Sequence, residues 1–188
     1  PLTPEFNPLN TGTYNVTVPN DIDNIDLLAE PDVETTTIAG TGNKQLKTGN
    51  NLFELITTSE NGETETYTVN IFRERNSNAY LTNIKVSDSS KDYVLTPEFD
   101  KETITYNTQV DVGVTTVTIT ATPEVDTTTY KLLDNNKIKI GDNIKRVMAI
   151  AEDGSTKTYT INIYRPASDN NNLADITTNA GTLTPEFD

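Results

Sequence analysis

The sequence predicts an all-β protein made of tandem antiparallel β-sandwich domains. Three observations carry this reading. The phrase Leu-Thr-Pro-Glu-Phe stands at Leu2–Phe6, at Leu95–Phe99 and at Leu183–Phe187, spacings of 93 and 88 residues. A phrase that returns at domain-sized intervals marks an internal repeat. From Tyr14 to Arg73 the chain also aligns without a gap to Tyr106–Arg165, at a constant shift of 92. Within each copy, apolar and polar residues alternate with period two between turn residues, the signature of half-buried strands.

The strands follow in order. Ile25, Leu27, Ala29, Pro31 and Val33 match Val117, Ile119, Ala121, Pro123 and Val125. With Val69, Ile71, Ile161 and Ile163, the first three pairs are expected to point into the two cores. Val, Ile, Thr and Tyr dominate these stretches and suit a pleated, half-buried surface. Gly49 and Gly141 mark turns, each followed two residues later by Asn51 or Asn143. Leu52–Thr58 and Ile144–Ala151 carry apolar residues on both faces, so their inward side is open. Asn61-Gly62 and Asp153-Gly154 are hairpin signals, read as type I′ turns with φ > 0 at both central residues. Pro4, Pro97 and Pro185 are expected at bends or strand edges, where no ladder hydrogen bond is lost. No segment has the 3.6-residue period of an amphipathic helix.

The shift sets the domain boundaries. Leu81 and Ile84 open the second copy, and Leu173 and Ile176 recur 92 residues later. The chain therefore reads as residues 1–75, a sandwich lacking its first strand; 76–167, a complete sandwich; and 168–188, a linker with the first strand of a third repeat. Such a tail invites strand donation. Leu173 and Ile176 of one molecule are expected to sit in a neighbour's first unit where Leu81 and Ile84 sit in the second, giving head-to-tail self-association.

Composition excludes several functions. The chain has no Cys, so no disulfide supports it, and no His, which removes the usual general base and the commonest metal ligand. A net charge of −14 repels phosphate backbones and anionic lipid, so no nucleic-acid partner is expected. No apolar run reaches the roughly 18–20 residues of a membrane-spanning helix, so no membrane insertion is expected. No signal peptide opens the chain, and the piece reads as the soluble interior of something longer.

The order Leu-x-x-Ile, Leu-Thr-Pro-Glu-Phe-Asp, Tyr, Gly-x-Asn, then Glu-Asp-Gly-Ser and Tyr-Thr-Ile-x-Ile-x-Arg resembles the bacterial cadherin-like β-sandwich repeat. The resemblance is fullest over residues 80–166, extends over 1–75, and is partial over 171–188. It implies a small antiparallel sandwich of a secreted or surface-anchored protein, in the Gram-positive cell wall or free. There it would serve as spacer, adhesion segment or interaction module beside neighbouring repeats, without catalytic residues.

The remaining candidates are few. Glu5, Glu98 and Glu186 recur, but each stands without a second carboxylate, and glycoside hydrolysis uses a pair. No enzyme is therefore expected. For a hard cation such as calcium, Asp169 and Asn170 form the best oxygen cluster. The equivalent stretch at Arg75–Asn78 has no acid of its own, so no metal or other cofactor is expected. Tyr67 and Tyr159 are expected to pack inward with their hydroxyls at the rim. Phe72 and Tyr164 fall on the opposite face of the same strand, where an exposed aromatic could meet a glycan or protein ligand.

Overall fold

The computed structural model describes residues 1–177 and 179–181. They form thirteen strands and no helix. The chain divides into two compact units, Pro1–Ser77 with Glu152–Gly154, and Asn78–Ala151 with Ser155 onward.

In the first unit the strands are β1 (Thr13–Val18), β2 (Asn24–Leu27), β3 (Thr37–Ala39), β4 (Gly42–Gln45), β5 (Gly49–Thr58) and β6 (Thr64–Arg73). They make one sheet in the order β1-β6-β5-β3 and a two-stranded sheet β2-β4. In the second unit the strands are β7 (Leu81–Ser87), β8 (Asp92–Tyr93), β9 (Thr105–Gln109), β10 (Thr118–Pro123), β11 (Thr129–Leu132), β12 (Gly141–Ile150) and β13 (Thr156–Arg165). These make sheets β11-β12-β13-β9 and β10-β7-β8. The shift of 92 maps β1, β3, β5 and β6 onto β9, β11, β12 and β13 in the same sheet order. Pairing is antiparallel throughout, with one departure in each unit: β1 runs parallel to β6, and β9 parallel to β13.

The two long hairpins set the inward face that periodicity left open. Asn51, Phe53 and Leu55 point in from β5, and Asn143, Lys145, Val147 and Ala149 from β12. Leu52 and Ile144 point outward and are exposed. The hairpin turns also differ from type I′. Gly62 and Gly154 have φ of 89° and 93°, while among the described residues none other than glycine has positive φ, so Asn61 and Asp153 do not. Gly62 N–H bonds the Ser59 carbonyl at 2.9 Å, and Ser59 N–H bonds Glu63 at 2.9 Å. That is a three-residue loop closed by a left-handed glycine, the next most common hairpin solution.

The cores differ in completeness. In the second unit, β7 buries Leu81, Ile84 and Val86 against Tyr106, Ile119, Val147, Tyr159, Ile161 and Ile163. Fully burying such an aliphatic contributes about 1.5–3 kcal/mol. The first-unit core holds Leu46, Leu55, Val69 and Ile71, ringed by Ile25, Leu27, Phe53 and Tyr67 that are only half-buried. Ala29, expected in the core, is exposed. Strand β2 ends at Leu27, and among the described residues no strand lies beside it at the place β7 takes beside β10.

Candidate interaction site

The repeated phrase builds an aromatic clamp in each unit. Thr3 bridges to Asn15 and Thr96 to Asn107, each through two backbone hydrogen bonds of 2.8 Å. The peptide bonds Thr3–Pro4 and Thr96–Pro97 are both cis. This register delivers Phe6 to Tyr14 and Tyr67, with ring centroids 5.5 and 6.1 Å apart, and Phe99 to Tyr106 and Tyr159, at 5.4 and 5.9 Å. The Tyr14 hydroxyl ties down the loop after the phrase, donating toward the carbonyls of Asn7 and Asn10. Tyr106 does the same toward Asp100 and Thr103. Burial pushes the Tyr106 and Tyr159 hydroxyls above the ordinary phenol value, so both stay neutral and able to donate. Glu5 and Glu98 point to solvent, and Glu186 lies outside the described residues.

The Gly-x-Asn motif is a second staple. Asn143 accepts Lys139 N–H at 3.0 Å, and its amide donates toward Lys139, Gly141 and Ile163 carbonyls at 2.8, 3.0 and 3.2 Å. Asn51 repeats this with Lys47, Gly49 and Ile71. Backbone groups stranded at the bend into the long strand thereby find partners. The motif was visible in the sequence, but the Ile163 and Ile71 carbonyls it also gathers lie 20 residues away and needed the fold.

Lys145 had no signal, because its counterpart is Phe53. It is 6% exposed, and its ammonium donates to the carbonyls of Asn135 and Lys137 at 2.7 and 2.8 Å. Burial pulls its pKa below the ordinary lysine value. The ammonium holds residues 135–137 where the first unit uses β4. There β2 pairs with β4 over four positions, whereas Thr116 makes only one bridge to Lys137.

The outward face of each long hairpin is similarly duplicated. Phe72 is 40% and Tyr164 47% exposed, at the same position of β6 and β13. Beside them, Asn70 donates to Asn15 and Asn50 at 3.0 and 3.2 Å, and Asn162 to Asn107 at 3.1 Å.

The tail resolves the role of Asn170. Its Oδ1 accepts Asn172 N–H at 2.9 Å, the same turn that Asn78 makes with Tyr80 N–H at 2.8 Å. Asn170 thus makes the kind of turn that precedes β7 in the second unit, while no strand follows it among the described residues. Asp169 is exposed beside it, and among the described residues no three acidic side chains gather as metal ligands. Leu173 and Ile176 follow, 66% and 42% exposed and in no strand, while Leu183–Phe187 lie outside the described residues.

A family model described as the cadherin-like beta sandwich domain matches residues 1–74 and 81–166. The chain belongs to the cadherin-like β-sandwich domain family. A cadherin-like domain suggests an adhesion or structural module. Solved structures that match this chain include the protocadherin GammaB4 extracellular domain, 10% identical with a TM-score of 0.32, over 83% of this chain and 32% of that one. Extracellular cadherin domains 1–4 of protocadherin Gamma B7 are 10% identical, TM-score 0.27, over 92% of this chain and 55% of that one. The fibronectin(III)-like modules of Clostridium thermocellum CbhA are 10% identical, TM-score 0.26, over 86% and 94%. This cadherin-like chain spans less than two thirds of either protocadherin chain. No curated protein matches it.

Proposed function

We propose that the chain is a force-bearing spacer and adhesion segment of an extracellular bacterial protein, working without catalysis beside further repeats of its kind. The observation that carries this is the parallel pairing of β1 with β6 and of β9 with β13. In each pair an early strand lies alongside the unit's last strand. Tension enters β9 from its N-terminal side and leaves β13 from its C-terminal side. Because the strands are parallel, that tension shears the whole row of hydrogen bonds together instead of opening them one at a time. The same device in both units supports a role that every repeat shares. Single-molecule pulling tests it. Stretched through both chain ends, each unit should resist more than when force is applied across the open ends of β12 and β13, which unzips the ladder. Equal resistance in the two geometries overturns the reading.

A second reading, a glycan-binding accessory module, is favoured by one observation, the exposed Phe72 and Tyr164 beside their asparagines. An aromatic face with flanking amides suits the apolar face and hydroxyls of a neutral sugar. Pull-down on insoluble neutral polysaccharides, lost in Phe72→Ala with Tyr164→Ala, would support it; no retention of the intact chain rules it out.

A further inference from the structure

The second unit carries a groove where the first unit has a strand pair. In the first unit β2 pairs with β4 over four positions, from Asn24 opposite Gln45 to Leu27 opposite Gly42. In the second unit the matching segments meet at one bridge, Thr116 to Lys137. Val117 N–H reaches the Asn136 carbonyl at 3.0 Å, and Ile138 N–H the Thr115 carbonyl at 2.8 Å. The Asn135 and Lys137 carbonyls turn to the Lys145 ammonium, so the ladder goes no further. Between these segments and the start of β12 lies a groove of about 820 Å³, a size that small ligands occupy.

Its charge is unlike that of the chain, which is −14 overall. Lys137, Lys139 and Lys145 line it with one acid, Asp142. The first unit has Gln45 and Phe53 where Lys137 and Lys145 stand. In the second unit Lys85, Lys91, Lys101, Arg146 and Lys157 each hold a carboxylate. The three groove lysines make no ion pair among the described residues. Lys145 is almost wholly buried, and two of its three N–H donors are taken by carbonyls. Asp134, whose charge reaches Lys145, has both oxygens on Arg146 at 2.9 and 3.0 Å. A buried cation with only neutral acceptors lacks a counter-charge. Arg165, opposite Gly141 in the strand pairing, adds a buried Nε without a hydrogen-bond partner. Its counterpart Arg73 is satisfied inside its own unit, by the Asn20 carbonyl at 2.6 and 3.1 Å and the Leu46 carbonyl at 3.1 Å. The counterpart of Leu46 is Ile138, which lines the groove. Unpaired positive charge therefore collects at one place in the second unit.

We propose that this groove binds the carboxylate of an acidic sugar, a uronate unit of a polysaccharide. The carboxylate takes the remaining Lys145 N–H, with Lys137 and Lys139 supplying charge from the rim. Hydrogen bonds between ionised groups are shorter and stronger than neutral ones, and they offset the burial of the ammonium. The Thr115 and Thr116 hydroxyls and the Asn135 amide give the sugar hydroxyls partners. Ile144, exposed at the rim, gives the ring an apolar contact. Asp142 repels the ligand and keeps its affinity low. The site takes an acid, where the outer aromatics Phe72 and Tyr164 suit a neutral sugar, so the two readings stand or fall separately.

Calorimetric titration of the intact chain with polygalacturonate at low ionic strength tests this. Binding should be saturable and should weaken as added salt screens the lysines. The fully methyl-esterified polymer keeps the backbone and loses the charges. It should bind about tenfold more weakly or less, the effect of losing a hydrogen bond to a charged group. Lys137→Gln with Lys139→Gln should cause a similar loss, and both side chains are exposed, so the thermal melt should not change. Asp142→Asn should tighten binding, and Phe72→Ala should leave it as it is. The proposal fails if polygalacturonate does not bind, if its methyl ester binds equally, or if the double lysine variant binds like the intact chain. It also fails if Phe72→Ala abolishes binding, which would move the ligand to the outer aromatic face. Inorganic phosphate competing as well as monomeric galacturonate would make the groove a general anion site and overturn the sugar assignment.

Discussion

The Tyr159 hydroxyl accepts the backbone N–H of Leu81 at 3.3 Å, which ties the last strand of the second unit to the start of its first. The same hydroxyl donates to the Lys101 carbonyl at 3.0 Å. Tyr159 is therefore the point where the leading strand, the loop after the repeated phrase and β13 meet. Tyr67 holds the matching place with only the loop contact.

Tyr159→Phe leaves a buried N–H without an acceptor, which costs about 1–3 kcal/mol. Tyr67→Phe frees a carbonyl that water reaches, and its cost should not exceed about 1.5 kcal/mol. Urea melts of the two variants check this, with the two units followed as separate transitions. A larger loss in Tyr67→Phe would show that Leu81 N–H does not depend on Tyr159.

Ile161→Ala and Ile71→Ala should each lower stability by about 2–5 kcal/mol, the range for a buried Ile that loses contacts and leaves a cavity. Both are 0% exposed. Ile25→Ala should cost less, because Ile25 is half-buried and water already reaches its site. Thermal melts that rank Ile25→Ala with Ile71→Ala would show that β2 is covered in solution.

How far the sequence reaches can be seen in neighbouring residues. Val69, Ile71, Ile161 and Ile163 were legible because alternation is strict along β6 and β13. Leu52 and Ile144 were not, since β5 and β12 carry apolar residues on both faces and only pairing decides which side is core. Ala29 read as core by its match to Ala121, but Ala121 is packed because β7 lies beside it. Asn61-Gly62 located the hairpin correctly, while its turn type depended on where Ser59 and Glu63 pair. Leu173 and Ile176 read as strand residues from their spacing to Leu81 and Ile84, yet they are exposed and lie in no strand. The bond from the Tyr67 hydroxyl to Pro8 and the parallel pairing of β1 with β6 and of β9 with β13 are relationships between distant residues, so no local pattern encodes them.

Asp88 and Tyr93 make a pH-sensitive pair. The carboxylate takes the Tyr93 hydroxyl at 2.6 Å, and its other oxygen takes Ser90 N–H, Ser90 Oγ and Lys91 N–H at 2.7, 2.7 and 2.9 Å. The bond from Tyr93, then those from Ser90 and Lys91, hold the Asp88 carboxyl far below its usual range. Its contribution is therefore complete above the ordinary value of 3.8 and fades as pH falls toward the depressed folded value. Burial first, then Asp88, pushes Tyr93 up to about 12. That contribution is complete below 10.0 and is lost as pH rises toward about 12. Tyrosine ring-carbon NMR should find the Tyr93 midpoint near about 12. Asp88→Asn should lower that midpoint but leave it above 10.0, because burial is the larger cause. A midpoint at the free-tyrosine value in the intact chain would remove the buried pair.

Gly40 and Gly62 separate backbone strain from steric overlap. Both have positive φ, 93° and 89°. A Cβ on Gly62 meets nothing within 4 Å, so Gly62→Ala carries only the left-handed penalty, about 1–2 kcal/mol. A Cβ on Gly40 falls 2.1 Å from the Glu54 carbonyl oxygen. That oxygen belongs to backbone inside β5, fixed by pairing to β6, and cannot swing aside. Gly40→Ala therefore adds an overpacking cost of about 1–3 kcal/mol to the same penalty. The counterpart of Gly40 in the second unit is Leu132, which lies in β11 opposite Val147 and needs no close approach. The loss in Gly40→Ala should fall on the transition of the first unit and leave that of the second unchanged. Equal melts for Gly40→Ala and Gly62→Ala would mean that β3 does not pack against β5 as closely as Gly40 allows.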